Sequence, residues 1–189
     1  MTSTTHIPEP APRVEVVTRD FTFTIEVHAV AAPASSAYFL ADVDAGLLNG
    51  SSIFRIVNLH NQPDTVPAKI EVLQMGLRET NAAIAPVIRH EATGSTGLRH
   101  RRGTVSLARF APGAVYHSIF VCMRDEPALD EGGARNPDGQ GFAAFGSVVA
   151  GFAHLQRLFA ENALSVEYPP SPTRLLTLRR ITRQAQGGV

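Results

Sequence analysis

The chain has 189 residues, 44% of them hydrophobic, and its 17 Lys and Arg balance 17 Asp and Glu to a formal net charge of zero. That length suits one domain with a substantial core, and the neutral balance argues against an electrostatic partnership with nucleic acid or a membrane surface. The lone cysteine excludes an intrachain disulfide, and no stretch approaches the roughly 18 apolar residues that span a bilayer.

Residues 1–12 are polar and proline-rich, with Pro8, Pro10 and Pro12, and lack the basic start and apolar stretch of a secretory signal. A flexible leader is expected there, followed by one domain over 13–183 and a fraying tail over 184–189. Residues 14–18 can open the fold as a strand. Residues 21–28 alternate apolar and polar without a break, which predicts a second strand with Phe21, Phe23, Ile25 and Val27 facing the core and a hairpin pairing the two. The period then changes. Pro33 suits a first helical turn, Phe39 and Val43 lie four apart with Leu40 beside them, and Gly46 ends the run, so a helix is expected over 33–45. Tyr38 and Phe39 read as core or rim residues of that helix.

After the turn signal Asn49-Gly50, alternation over 53–57 sends Phe54 and Ile56 to one face and Ile53, Arg55 and Val57 to the other. Arg55 thereby shares a face with apolar neighbours. It is either the solvated end of an edge strand or a placed hydrogen-bond donor above an apolar floor. The segment 58–68, with Pro63, Asp64 and Pro67, is a loop, and its His60 reads as a surface histidine because no second ligand lies at a metal-binding spacing. Further strands are expected at 70–76, with Val72 and Gln74 on one face, at 100–109, and at 118–122. Cys122 falls inside the last of these and reads as a buried, unreactive thiol. Residues 77–96 look irregular, and the run Arg99, His100, Arg101 and Arg102 reads as a solvated basic turn. Leu129 sits on a loop over 123–140. Another apolar run covers 141–149, a short helix over 152–158 has Phe152, Leu155 and Phe159 on one side, and a last strand over 175–181 can close the sheet against the first. The expected fold is mostly β, a closed antiparallel barrel with two helices.

The order and spacing of several of these pieces resemble the cyclophilin family of peptidyl-prolyl cis-trans isomerases. The family's Phe-(His/Tyr)-Arg strand is similar to Ile53-Phe54-Arg55, its Gln-Gly-Gly to Gln74-Met75-Gly76, and its Gly-Thr-(Leu/Ile)-Ser-Met-Ala to residues 103–108. Its Phe-Phe-Ile, Leu-Asp and Val-Phe-Gly-x-Val are similar to Ile119-Phe120-Val121, Leu129-Asp130 and Ala144-Phe145-Gly146-Ser147-Val148, and the insert 132–141 resembles the longer loop of a bacterial branch. The resemblance covers about residues 21–159.

It implies an eight-stranded barrel with a helix over each end and an enzyme that accelerates Xaa-Pro rotation during protein folding without cofactor or metal. By position it assigns Arg55, Gln74 and Phe120 to catalysis and Val72, Ala108, Arg109, Ser118, Leu129 and Phe142 to the substrate. Proline-containing polypeptides are the expected partners of a monomeric, cytoplasmic protein that binds neither nucleic acid nor membrane. Departures from the pattern are concentrated at the pocket. Glu71, Val72, Ser118, Ile119, Ala128 and Phe142 replace the family's usual residues, and Arg109 stands where an asparagine is usual. They leave open an alternative, a catalytically weak or inactive module that grips proline-containing peptides. A small-molecule barrel such as a lipocalin is disfavoured, because the interior positions are filled by Phe, Ile and Val.

Overall fold

The computed structural model describes residues 10–78, 81–162 and 166–182. Residues 1–9 of the expected leader and the expected tail over 184–189 lie outside the described residues. Eight strands close into an antiparallel barrel: β1 (Arg13–Thr18), β2 (Thr22–Val27), β3 (Ser52–Val57), β4 (Val72–Gly76), β5 (Thr104–Arg109), β6 (Val115–Cys122), β7 (Ala144–Ala150) and β8 (Thr173–Ile181). Around the wall they run β1-β2-β7-β5-β6-β4-β3-β8, and β8 returns to pair with β1. Closure removes the free edges that would otherwise template aggregation.

Among the described residues the chain forms helices α1 (Pro33–Asp44), a single added turn α2 (Thr93–Thr96), and α3 (Phe152–Glu161), so both expected capping helices are present as α1 and α3. The strand predicted over 100–109 begins only at Thr104, because His100 to Gly103 form the turn that leads into it.

The interior is a continuous apolar cluster. Phe23, Ile25 and Val27 enter it from β2, as the alternation predicts, while Phe21 is only partly buried at its margin. Leu73 and Met75 enter from β4, Ile119 and Val121 from β6, and Phe145 from β7. Helix α1 follows the end of β2 and sets Phe39 against Phe145, ring centroids 5.1 Å apart. Helix α3 follows the end of β7 and brings His154 over Phe21 near the start of β2, with Leu155 fully buried. Since β2 and β7 are antiparallel neighbours, the two helices plug opposite ends of the barrel.

Helix α1 lacks a capping side chain of its own, and Pro33 at its start removes one orphan donor. The buried carboxylate of Glu91 supplies the cap from a distant loop, accepting from the N–H groups of Ala34 at 2.9 Å and Ser35 at 2.8 Å. An anion there also meets the positive end of the helix dipole.

Strand β3 departs from simple alternation. Ile53 pairs with Met75 and Arg55 with Gln74, so Phe54 is an extra residue in the ladder. This β-bulge corrects the expected facing: Ile53 joins Ile56 inside the barrel, while Arg55 and Val57 turn outward. A second, smaller apolar cluster forms on that outer face from Val57, Ile70, Val72, Phe120, Cys122 and Leu129. Among the described residues no helix is long and apolar enough to cross a membrane.

Candidate active site

The smaller cluster floors an open cavity of about 380 Å³ on the outside of the barrel wall. Val72 and Gln74 project from β4, Tyr116 and Phe120 from β6, Arg55 from β3, and Ala108 and Arg109 from the end of β5. Period-two alternation makes this possible, because the strands that fill the core with one set of residues present the other set outward. Leu129, from the loop after β6, is fully buried beneath Phe120, and Phe142 meets the Phe120 ring edge-on at 5.3 Å.

Arg55 is gripped at both ends of its guanidinium. Nη1 donates to Oε1 of Gln74 at 3.1 Å, and Nε donates to Oε1 of Glu167 at 2.5 Å, with Nη2 ion-paired to the same carboxylate oxygen. Glu167 also ties its backbone to the strand, since its carbonyl accepts from the N–H of Ile56 at 2.8 Å. Tyr168 lies 5.8 Å from the guanidinium on that side.

Gln74 is in turn immobilised. Its Nε2 donates to the Tyr116 hydroxyl at 2.9 Å and to Oγ of Ser118 at 3.1 Å, and the Ser118 hydroxyl donates to the carbonyl of Met75. Burial raises the Tyr116 phenol above its ordinary value, against the opposing pull of Gln74 and Arg55, so the hydroxyl stays protonated at neutral pH.

Phe120 is braced from behind. The His100 ring stacks on it at 6.0 Å, with Nδ1 donating to Oδ1 of Asp130 at 2.8 Å and Nε2 bonded to Oγ of Ser106 at 3.1 Å. Burial works to raise the Asp130 carboxyl, but its bonds to His100 outweigh that and hold it below the ordinary value. His100 is therefore corrected: it is 1% exposed and structural, while Arg99 and Arg101 on either side are solvated as expected. A buried Ser-His-Asp array closed off by Phe120 gives no substrate access to the hydroxyl, so it acts as a brace.

The insert walls the far side. Arg109 donates from Nη1 and Nη2 to Asp138 at 2.8 and 2.9 Å and from Nε to the carbonyl of Gly141 at 2.8 Å, and lies over Phe142 at 4.9 Å. This bond holds the Asp138 carboxyl below its usual range. Gly141 has φ of +62°, and a Cβ there would sit 2.5 Å from the Asp130 carbonyl carbon, so only glycine lets the insert return this closely.

Eight of the nine residues singled out in the sequence line this one cavity: Arg55, Val72, Gln74, Ala108, Arg109, Phe120, Leu129 and Phe142. Ser118 does not, because its short side chain is 2% exposed and its hydroxyl is spent behind Gln74. Glu167, Tyr116, His100 and Arg135 were not singled out. Tyr116 is two residues before Ser118 on β6 and could have been found by alternation, whereas nothing local marks Glu167, 112 positions from its partner. Cys122 is fully buried at the back of the cluster and burial drives its thiol well up, which fits the unreactive reading. Among the described residues no group of three or more potential ligands could hold a metal ion, and His60 is exposed.

A family model described as cyclophilin type peptidyl-prolyl cis-trans isomerase matches residues 13–180. No curated protein sequence matches the chain. Among solved structures, a cyclophilin type peptidyl-prolyl cis-trans isomerase of Cryptosporidium parvum superposes with a TM-score of 0.72 at 15% identity, covering 92% of this chain and 99% of that one. The same isomerase crystallised in the presence of the dipeptide Ala-Pro superposes with a TM-score of 0.70 at 16% identity, covering 90% and 99%.

Proposed function

The chain belongs to the cyclophilin-type peptidyl-prolyl cis-trans isomerase family, and on that premise we propose that Arg55 catalyses rotation about Xaa-Pro bonds by stabilising the twisted imide. The observation that carries this reading is the arginine itself, fixed at both ends by Gln74 and Glu167 and still lining a cavity with an apolar floor.

Rotation is slow because resonance stiffens the imide, with a barrier near ~18–20 kcal/mol. Halfway round, the prolyl nitrogen becomes pyramidal and regains its lone pair. A donor aimed there favours the twisted form over both planar isomers, which is differential binding of the transition state. No nucleophile or redox partner is needed. A guanidinium has five N–H donors; Glu167 takes the Nε edge and Gln74 one donor of Nη1, so the remaining N–H groups of Nη1 and Nη2 are available to substrate. Both donors of the Gln74 amide already have protein partners, which supports a positioning role for Gln74 rather than a grip on substrate.

The proline ring would rest on Val72, Phe120, Leu129 and Phe142. Pairing of β5 with β7 ends at Ser106 and the Leu107 N–H, so the backbone of Ala108 and Arg109 runs on beyond its neighbour and can receive the peptide as an added strand. Crystallisation of the Cryptosporidium isomerase in the presence of Ala-Pro supports proline-containing peptides as the ligands. The zero net charge argues against a nucleic-acid partner and the lone buried cysteine suits the cytoplasm, where the chain would assist protein folding as a monomer, and the insert over 132–141 supports a bacterial-type branch.

The ion pair with Glu167 favours a second reading, a slow isomerase that mainly binds, because a carboxylate on the guanidinium offsets part of the positive potential that the imide nitrogen would feel. Exchange NMR on a short Ala-Pro peptide decides. Catalysed exchange that Arg55→Ala reduces by about 10²-fold or more supports catalysis; equal exchange with both proteins overturns it.

A further inference from the structure

Three guanidinium groups line the one cavity, and their charges are not equally met. Arg109 is matched by Asp138, and Arg55 by Glu167. Arg135, on the insert, is not. Its Nη1 donates to Oε1 of Gln62 at 2.8 Å and to the carbonyl of Ala68 at 2.9 Å, both neutral, and among the described residues no carboxylate lies within ion-pair distance. The fields of Glu167 and Glu126 reach it, but both carboxylates are already committed, Glu167 to Arg55 and Glu126 to Arg124 at 2.7 Å and to the N–H of Glu71 at 2.7 Å.

We propose that Arg135 makes this cavity selective for peptides that carry a carboxylate beside the proline, either an acidic flanking residue or a free C-terminus. The inference rests on the reading that the cavity takes Xaa-Pro peptides, and it adds the chemistry of the neighbouring residue. Burial, and then the charge of Arg55, pull the Arg135 guanidinium below its ordinary value, the sign of a cation held in an environment that an anion would relieve. It remains charged at neutral pH. Both of its protein bonds leave from Nη1, so Nε–H and the Nη2 hydrogens have no partner among the described residues. That set of donors is the edge that receives a carboxylate in a fork.

The side chain is also held in place before any ligand arrives. The Arg135 backbone N–H donates to the carbonyl of Ala128 at 3.0 Å, and the neighbouring Gly133 packs so tightly on that segment that a Cβ would lie 2.4 Å from the same carbonyl oxygen. Little ordering is left for the binding step. The other charged groups around the cavity do not cancel the effect: Arg55, Arg109 and Arg135 outnumber Asp138 and Glu167 by one.

The test compares amide-capped peptides bearing Ala, Asp or Lys immediately after proline, Asp immediately before it, and the Ala-Pro dipeptide with a free carboxylate. Dissociation constants come from NMR shift titrations and kcat/KM from exchange, for the wild type and for Arg135→Gln and Arg135→Lys. The wild type is expected to bind at least one carboxylate peptide about five- to twentyfold more tightly than its neutral counterpart, and the Lys peptide most weakly. Which arm shows the gain tells a flanking acid from a chain terminus. The ratio should shrink to within about twofold in Arg135→Gln and survive in part in Arg135→Lys, which keeps the charge and loses the fork. Wild-type affinities that ignore peptide charge, or a preference that persists in Arg135→Gln, overturn the proposal. If no peptide is turned over, the catalytic reading fails while the affinities still decide this one.

Discussion

The barrel has two apolar regions built from the same strands, one inside the wall and one outside, and they are finished differently. The inner cluster, with Leu73, Met75, Ile119, Val121 and Phe145, is closed by aliphatic and aromatic packing alone. The outer one, with Val57, Val72, Phe120 and Leu129, sits on residues one position away along those strands and is ringed by polar groups with defined partners. A packed interior tolerates no gap, so substitutions there should cost stability. The outer patch leaves a cavity that a ligand can fill, so substitutions there should cost activity while the fold persists.

The largest expected effect is inside. Phe145→Ala should destabilise the protein by about 3–5 kcal/mol, because a fully buried ring that meets Phe39 leaves a hole. The kcat/KM of the molecules that stay folded should hold within about twofold; denaturant unfolding combined with activity per folded molecule checks both, and lost activity at full folding would erase the division. Next comes Arg55→Lys on the outer face. Ammonium cannot span Gln74 and Glu167 at once, so kcat/KM should fall about 10²-fold while stability moves by no more than about 1 kcal/mol.

Gln74→Ala should cost about tenfold in kcat with little change in KM, since the amide orients the arginine and does not hold the peptide. A KM effect instead would make Gln74 a substrate contact. The smallest effect belongs to the brace behind Phe120. A carboxyl held below its ordinary value by folding contributes stability that is complete above the usual aspartate range and is lost as pH falls through its folded value. Acid unfolding of the wild type should therefore be steeper below about pH 4 than that of Asp130→Asn; parallel curves would show that His100 does not favour the anion.

How far these regions could be read from the chain differs as well. The alternation of Phe23, Ile25 and Val27 announces a half-buried strand because nothing interrupts it, and Pro33 with Phe39 and Val43 announces α1. Strand β3 defeats that template: the bulge at Phe54 inserts one residue, and the period that groups Ile53 with Arg55 is broken where it matters most. Arg55, Gln74 and Phe120 were legible through ordered motifs and not through periodicity. His100 was hidden by the arginines around it, since a run of charge reads as solvent-facing whatever one member does. Ser118 was assigned to the substrate by its position in the family pattern, but position does not tell which side chain is short enough to be covered. Glu167 reaches Arg55 and Arg135 reaches the cavity from loops, and loop trajectories depend on tertiary bonds that leave no local signature.

The ladder between β3 and β8 pairs Ser52 with Arg174 and Ile53 with Thr173, whereas β1 and β8 are zipped from Arg13 to Thr18. Beyond Ile53 the seam is stitched by the backbone of Glu167, the residue whose carboxylate also grips Arg55. Any breathing of the cylinder along that join would loosen stitch and guanidinium together, so protection of the Ile56 amide from solvent exchange becomes a gauge of how long the arginine stays aimed.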